Sequence, residues 1–386
     1  MARGLAIAGR AAKIAAKTLL ILLVLAVVLI AVTPQGRTGV SAVMFVMQVI
    51  PAVPIKPLAW FTGDPERMQI EFDGPGGKVE ADVYVPAGDG PFGAILLFLG
   101  VNPAGRDDSR VVNLASGLAR TGKVVMVPWS EDMVAKRIVV SEADNLVSAF
   151  EYLSSLEFVD PDQVGMAGFC VGASLATVAA QDPRIADRVR YVNFFGGYFD
   201  AEKLVVSVAT RSRTYGGQVE HWDPASLSTE VVRIHLIDGV SDPGERDVLE
   251  RAFLRGESVT RTEVDALSTE AAAVFSLLMG ADRAEAEALV SALPEATLAS
   301  LKGISPITGI ERLKARLLIM HDREDDLVPS YESRRLYDVV RDRGDTYYTE
   351  FSFFSHVDPT EQVGATGLLS EGFKLFLHLY NIFRTL

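Results

Sequence analysis

Cysteine is almost missing from this chain: Cys170 is the single one in 386 residues. No intramolecular disulfide and no multi-cysteine zinc site can be built from it, so packing or chemistry must account for its presence. Acidic residues are missing from the first 63 positions, which carry Arg3, Arg10, Lys13, Lys17, Arg37 and Lys56. The rest of the chain is the reverse, with 31 basic against 50 acidic residues, and the net charge of the whole is −13. An acidic body lacks the basic footprint that a polyanion needs, which excludes nucleic acid as a partner and leaves the basic, apolar start pointing to a membrane. Repeats and low-complexity tracts are lacking too. A composition of 49% hydrophobic and 23% charged residues excludes disorder and supplies a sizeable core.

Residues 18–33 read TLLILLVLAVVLIAVT, sixteen positions without a charge. As a helix they rise about 24 Å against a hydrocarbon core of about 30 Å, a gap that a snorkelling Lys17 can close. Arg3, Arg10, Lys13 and Lys17 would share one helical face toward anionic headgroups. A cleaved signal peptide is the alternative, but Ala31-Val32-Thr33 before Pro34 makes a poor cleavage site. We expect a retained single-pass transmembrane anchor, with the body extracytoplasmic because the positive charge precedes the span. The second apolar run, residues 40–50, rises only about 17 Å and is followed by Pro51, Pro54 and Pro57, so an interfacial or domain-packing segment is expected there.

The body reads as an α/β sheet domain. Residues 67–73 and 78–85 alternate in strand fashion around Gly74-Pro75-Gly76-Gly77, an antiparallel hairpin signal. Short apolar runs at 94–99, 124–127, 164–167 and 189–195 then alternate with helical-period stretches at 108–120, 139–155 and 171–180, the rhythm of a doubly wound, mostly parallel sheet. Between about 200 and 305 that rhythm breaks. The segment is charged and helix-forming, with a strand signal only at 231–237, and apolar stretches at 272–279 and 288–293 suggest the inner face of a helical cap. The rhythm resumes with strands at 316–320 and 346–351 and helices at 331–340 and 368–383. The expected organisation is therefore an anchor over 1–38, an apolar linker over 39–63, a sheet domain over 64–199 and 306–386, and a cap inserted over 200–305.

The strand VGMAG runs into Gly168-Phe169-Cys170-Val171-Gly172 and then a small-residue helix. This is the G-x-nucleophile-x-G elbow, in which a sharp strand-to-helix turn exposes the nucleophile and the glycines keep Cβ atoms out of the neighbouring strand and helix. A cysteine nucleophile needs a base, and the base an orienting acid. In elbow order, the strand RLLIM is followed by Asp325 within the D-x-x-V-P run, and the strand TYYTEF by His356 on a loop before Asp358-Pro359. Asp325 could instead cap a helix starting near Pro329, Asp322, Asp326 and Asp200 are rival acids, and His356 could be a surface loop histidine. His221, His235 and His378 fall on elements where packing or solvation suits them better. His321 sits beside several carboxylates, but no metal-ligand spacing accompanies it.

The chain resembles the α/β-hydrolase superfamily and, within it, the dienelactone hydrolase family, through Gly168-Phe169-Cys170-Val171-Gly172 and the Gly100-Val101-Asn102 that follows an early strand. The resemblance covers about 64–200 and 306–386. It implies an α/β-hydrolase fold, with Cys170 as nucleophile, His356 as base, Asp325 as acid, and the backbone N–H groups of Val171 and of Val101 or its neighbour as oxyanion hole. That family has a glutamate just before its Gly-Val-Asn, whereas Leu96-Leu97-Phe98-Leu99 carries no carboxylate here. The expected activity is hydrolysis of a small-molecule carboxylic ester or lactone through a thioester acyl-enzyme, with no cofactor and no metal. Acyl transfer of the polyester synthase type and a catalytically idle, membrane-tethered binding module are the competing readings.

Overall fold

A computed structural model describes residues 17–30, 32–50, 53–352 and 365–385. Its centre is an eight-stranded sheet built from β1 (Glu66–Gly74), β2 (Gly77–Val85), β3 (Phe92–Phe98), β4 (Val124–Pro128), β5 (Val159–Phe169), β6 (Tyr191–Phe195), and, after a long excursion that carries β7 (Ser212–Tyr215) and β8 (Gln218–His221), β9 (Arg316–Asp322) and β10 (Tyr347–Phe351). The order across the sheet is β1-β2-β4-β3-β5-β6-β9-β10. β1 pairs antiparallel with β2 through a turn in which Gly74 faces Gly77, β2 pairs antiparallel with β4, and every later pairing is parallel.

The parallel strands read as continuous apolar runs because helices cover both faces, and alternate residues serve opposite cores. Leu96, Phe98, Met166 and Phe194 join one cluster with helices Ser141–Ser155 and Val171–Ala179. Ile95, Leu97, Phe195 and Met320 join the other, against helices Pro34–Val49, Ser109–Ala119 and Ala365–Phe383. Residues 40–50 thus pack on the domain: Ala42 and Phe45 are buried, and Phe45 meets Phe383 edge-to-face at 5.7 Å between ring centroids. Lys56 closes this helix at its negative end, its Nζ donating to the carbonyls of Met47, Gln48 and Ile50 at 2.9–3.0 Å.

The first apolar run, expected to form a membrane-spanning helix over 18–33, is helical at 17–30, and a bend follows. The helix Lys17–Ile30 stops, and the helix Pro34–Val49 leaves at 95° to it. The cause is local. Thr33 is extended and caps the second helix, its Oγ1 accepting the Gly36 N–H at 3.1 Å with Pro34 in the first turn, and a Cβ on Gly36 would stand 1.8 Å from the Ile30 carbonyl oxygen. No single described helix is long and apolar enough to cross a membrane; the bent pair meets the length and composition test only together. Leu19, Leu20, Ile21, Leu22, Leu23 and Leu25 are all more than half exposed.

Between β6 and β9 the chain forms helices Ala201–Thr210, Ser226–Asp238, Pro243–Phe253, Arg261–Asp265, Thr269–Met279, Arg283–Ser291 and Glu295–Gly303, with β7 and β8 as a separate antiparallel hairpin. Residues 231–237, read as a strand from their β-branched residues, are helical. Ser228, Val231, Val232 and Leu236 recur at helical spacing on the buried side, and that stripe outweighs local β propensity. The β7–β8 hairpin turns on Gly216 and Gly217, both at positive φ. It is tied to the sheet domain by Arg213, which donates to the Arg323 carbonyl at 2.9 Å, and by the Tyr215 hydroxyl on Asp338 at 2.7 Å.

Candidate active site

β5 ends at Phe169, the helix Val171–Ala179 begins two residues on, and Cys170 between them takes the whole reversal at φ 53°, ψ −132°. Side chains rarely adopt this backbone region, which costs about 1–3 kcal/mol and persists only when the surroundings impose it. They do so here. The Cys170 N–H donates to the Phe195 carbonyl at the end of β6 at 2.8 Å, and the Cys170 carbonyl accepts the Ala173 N–H at 2.9 Å. A Cβ on Gly168 would lie 2.4 Å from the Ala173 Cα, and one on Gly172 would lie 2.3 Å from the Phe98 carbonyl oxygen. The helix therefore packs on its own strand and on the end of β3 through two points where only glycine fits.

Gly100, at φ 72°, starts the loop that carries Val101, and a Cβ there would meet the Gly172 nitrogen at 2.5 Å. This brings the Val101 and Val171 segments together across a backbone contact. The loop is held from its far side by Arg106, which donates to both carboxylate oxygens of the fully buried Asp82 at 3.1 Å and to the Ala81 carbonyl at 3.2 Å. Asp82 also accepts from Arg67 and from the Trp129 indole at 2.9 Å. These donors hold its carboxyl below the usual range against the opposing effect of burial, which is the largest single influence.

The loop after β9 is ordered by its own carboxylates. Asp322 accepts the Glu324 N–H at 2.9 Å; Asp325 accepts the N–H groups of Leu327 and Val328 through Oδ1 at 2.8 and 2.9 Å. Asp325 is not a helix cap, since the following helix begins at Tyr331 behind Ser330. Its Oδ2 lies 3.3 Å from Nε2 of His321, both side chains being completely buried. His321 is itself fixed, with Nε2 at 2.9 Å from the Val328 carbonyl and Nδ1 at 2.6 Å from the Ser333 hydroxyl. Asp200 caps the helix Ala201–Thr210, accepting from Glu202 and Lys203. His378 is buried between Thr349 and Asn193, with hydrogen bonds of 2.9 Å to each, and burial pushes its imidazole down to about 3. Among the described residues no three His, Cys, Asp or Glu side chains are grouped to hold a metal.

Cys170, Val101 and Val171 share the wall of a cavity of about 680 Å3, and the loop bearing Asp325 adds Asp326, Leu327 and Val328 to the same wall. The structure thus brings the elbow, the Gly100 loop and the loop bearing Asp325 to one place at the carboxyl ends of β3, β5 and β9. His356 lies outside the described residues. The inserted segment roofs the cavity, but with other helices than expected. Leu204 and Val205 come from Ala201–Thr210, and Leu227, Val231 and Val232 from Ser226–Asp238. Residues 272–279 and 288–293 are instead used inside the insertion, where Val274, Leu277 and Val290 are buried. Periodicity shows that a helix has an apolar side and is silent on which neighbour that side meets.

Two contributors to the cavity were not foreseen. Phe45, Val49 and Ile50, from the helix Pro34–Val49 and its end, line the cavity, as do Leu375, Leu379 and Phe383 of the last helix. The sequence suggested a packing segment at 40–50 and a final helix, but not that either lines this cavity. Tyr198 also lines it, completely buried, with no hydrogen-bond partner for its hydroxyl among the described residues; burial and the nearby Cys170 raise its phenol.

The strand order, the two antiparallel pairings at one edge and the strand-to-helix elbow after β5 define an α/β-hydrolase fold. No protein-family model and no curated protein sequence matches the chain. Among solved structures it is similar to the acylaminoacyl peptidase of Pyrococcus horikoshii at 14% identity and a TM-score of 0.47, over 85% of this chain and 43% of that one. It is also similar to a 2,6-dihydroxy-pseudo-oxynicotine hydrolase at 15% identity and a TM-score of 0.49, over 83% and 68%. A hyperthermophilic esterase from the archaeon Pyrobaculum calidifontis is similar at 14% identity and a TM-score of 0.46, over 92% and 90%. The chain spans less than half the length of the peptidases it matches.

Proposed function

We propose that the protein is a membrane-tethered hydrolase of carboxylic esters or lactones whose nucleophile is Cys170. The observation that carries the reading is the conformation of that residue: a lone cysteine is held at φ 53°, ψ −132° between strand and helix, on the wall of a large cavity, where packing alone would favour glycine. His356 takes the thiol proton as the sulfur attacks the acyl carbon, and the oxyanion is received by the N–H groups of Val171 and Val101. His356 then protonates the leaving alkoxide, giving a thioester on Cys170. Water adds to the thioester with His356 as base, and the acid leaves as the thiol is restored. Asp325, fixed by two backbone donors, orients the histidine. The dienelactone-hydrolase-like motif supports cysteine-based acyl chemistry of this kind. The exposed apolar helix Lys17–Ile30 is the tether, a single pass with the body outside the cytoplasm.

The test is direct. Purified full-length protein in detergent is incubated with activated acyl esters, and the mass of the Cys170 peptide is followed. An acyl adduct that forms and decays with turnover, and is lost in Cys170→Ala, is the expected result. Hydrolysis that survives Cys170→Ala, or a Cys170 that stays unacylated while esters are cleaved, overturns the assignment. Transfer of the acyl group to an added alcohol in preference to water would make the enzyme an acyltransferase.

A further inference from the structure

The cavity does not end at the elbow. Tyr191, Asn193 and Phe195 all line it, and they are alternate residues of β6 on the face turned to helices Pro34–Val49 and Ala365–Phe383. From Phe195, beside the elbow, to Tyr191 is four residues of strand, or about 13 Å. Ile95 and Leu97 of β3 and Ala167 of β5 mark the same descent on neighbouring strands. The floor is shaped for this. Gly165 lies beneath Tyr191, whose ring atoms would be 2.2–2.6 Å from a Cβ at that position, so the phenol ring lies flat over β5. The one polar side chain midway, Asn193, is tied to His378 at 2.9 Å and to the Met320 sulfur at 3.9 Å. The outer wall is Phe45, Val49 and Ile50 on one helix and Leu379 and Phe383 on the other.

We propose that this descending arm holds the acyl chain of the substrate, and that the substrate class is a long-chain acyl ester of the kind a bilayer contains. The inference rests on the acyl chemistry assigned to Cys170 and deepens it. With the carbonyl at Cys170, a chain bound in the arm runs away from the inserted roof and down between the sheet and the two helices. The helix that walls the arm follows directly on the exposed apolar helix Lys17–Ile30, so the element that tethers the protein is continuous with the element that encloses the chain. A deep apolar arm beside a reacting centre discriminates by length, because each buried methylene favours binding by about 0.8 kcal/mol, a factor of about four, until the arm is full. A small, polar or branched acyl group would leave it unfilled.

Two measurements on the full chain in nanodiscs separate this inference from the activity it rests on. Direct binding of palmitic acid is measured first, since it needs no turnover. Stoichiometric binding to wild type is expected, with a loss of tenfold or more in Ala167→Phe, which fills the arm near the elbow, and in Val49→Trp, which fills it from the half-buried outer helix and carries less folding risk. The ratio of kcat/KM for octanoyl over acetyl esters is measured second. A ratio of at least a hundred is expected in wild type, falling toward one in the filled variants. Palmitate binding without cleavage of any ester would overturn the hydrolase reading and leave the arm's occupant supported. Acetyl cleavage with no preference for length, or no palmitate bound by wild type, overturns the proposal.

Discussion

The indole N–H of Trp222 donates to the backbone carbonyl of Asp325 at 2.8 Å, and the neighbouring Ala225 N–H donates to the Asp326 carbonyl at 2.7 Å. Trp222 and Ala225 belong to the inserted segment and the two aspartates to the sheet domain, so the roof is bonded to the loop that carries Asp325, the proposed acid. Trp222→Phe keeps the buried ring and takes this donor away from a buried carbonyl, at a cost of about 1–3 kcal/mol. Unfolding in urea should show that loss. Turnover should fall with it at temperatures where the variant is fully folded, and turnover equal to wild type would mean that the roof does not position the acid.

Gly172 has no room for a methyl group, because the Phe98 carbonyl oxygen and the Gly100 nitrogen lie 2.3 and 2.6 Å from its Cβ position. Both are backbone atoms and cannot swing aside. Gly172→Ala must therefore push the helix Val171–Ala179 off the end of β3, displacing Val171 and Val101 relative to one another. The expected outcome is a drop of several degrees in melting temperature and at least a hundredfold fall in kcat/KM. Ala substitution at Gly76, where nothing lies near the Cβ position, should leave both unchanged.

His378 gives a pH dependence with a definite sign. Burial, reinforced by the charge of Arg316, depresses its folded value to about 3, against about 6.5 for an unfolded histidine. Below pH 6.5 the unfolded chain binds a proton that the native chain refuses. Stability from this group is thus complete above pH 6.5 and declines as the pH falls toward 3, with a slope that approaches about 1.4 kcal/mol per unit. Comparing wild type with His378→Gln by urea unfolding between pH 4.5 and 7.5 isolates it. The difference in stability should shrink as the pH falls, and a constant difference would show that the imidazole is not buried neutral.

The division of labour among the roof helices is also testable. Leu277 is buried within the inserted segment and does not line the cavity, whereas Val231 does both. Leu277→Ala should lower stability by about 2–5 kcal/mol and leave the preference among substrates unaltered. Val231→Phe should alter that preference at nearly constant stability. The opposite pattern in the ratio of kcat/KM between two esters would return the lining to the helix Thr269–Met279.

The sheet was legible almost strand by strand, because β3, β5, β6 and β9 are buried on both faces and announce themselves as short apolar runs between turn signals. The elbow was legible for a different reason: Gly168 is needed by contacts to Gly172 and Ala173 a few residues on, and Gly172, needed by the distant end of β3, falls at a fixed offset from the nucleophile in the same motif. The strand expected at 231–237 failed because Val231, Val232 and Ile234 carry β propensity on a segment whose burial follows a helical stripe. The bend after the helix at 17–30 was not foreseen, because Thr33, Pro34 and Gly36 form a cap and a turn in the short polar stretch between two apolar runs. The cavity's outer wall was out of reach, since Phe45 and Phe383 meet across 338 positions of chain and nothing in either neighbourhood names the other.

Folding, left to itself, would drift toward glycine at position 170. The backbone there costs about 1–3 kcal/mol for any residue with a Cβ, and Gly would adopt it freely. With Cys170 as the proposed nucleophile, Cys170→Gly is therefore expected to combine a higher melting temperature with a complete loss of chemistry. On that reading, the residue marks a place where selection for what the molecule does opposes selection for how well it holds together.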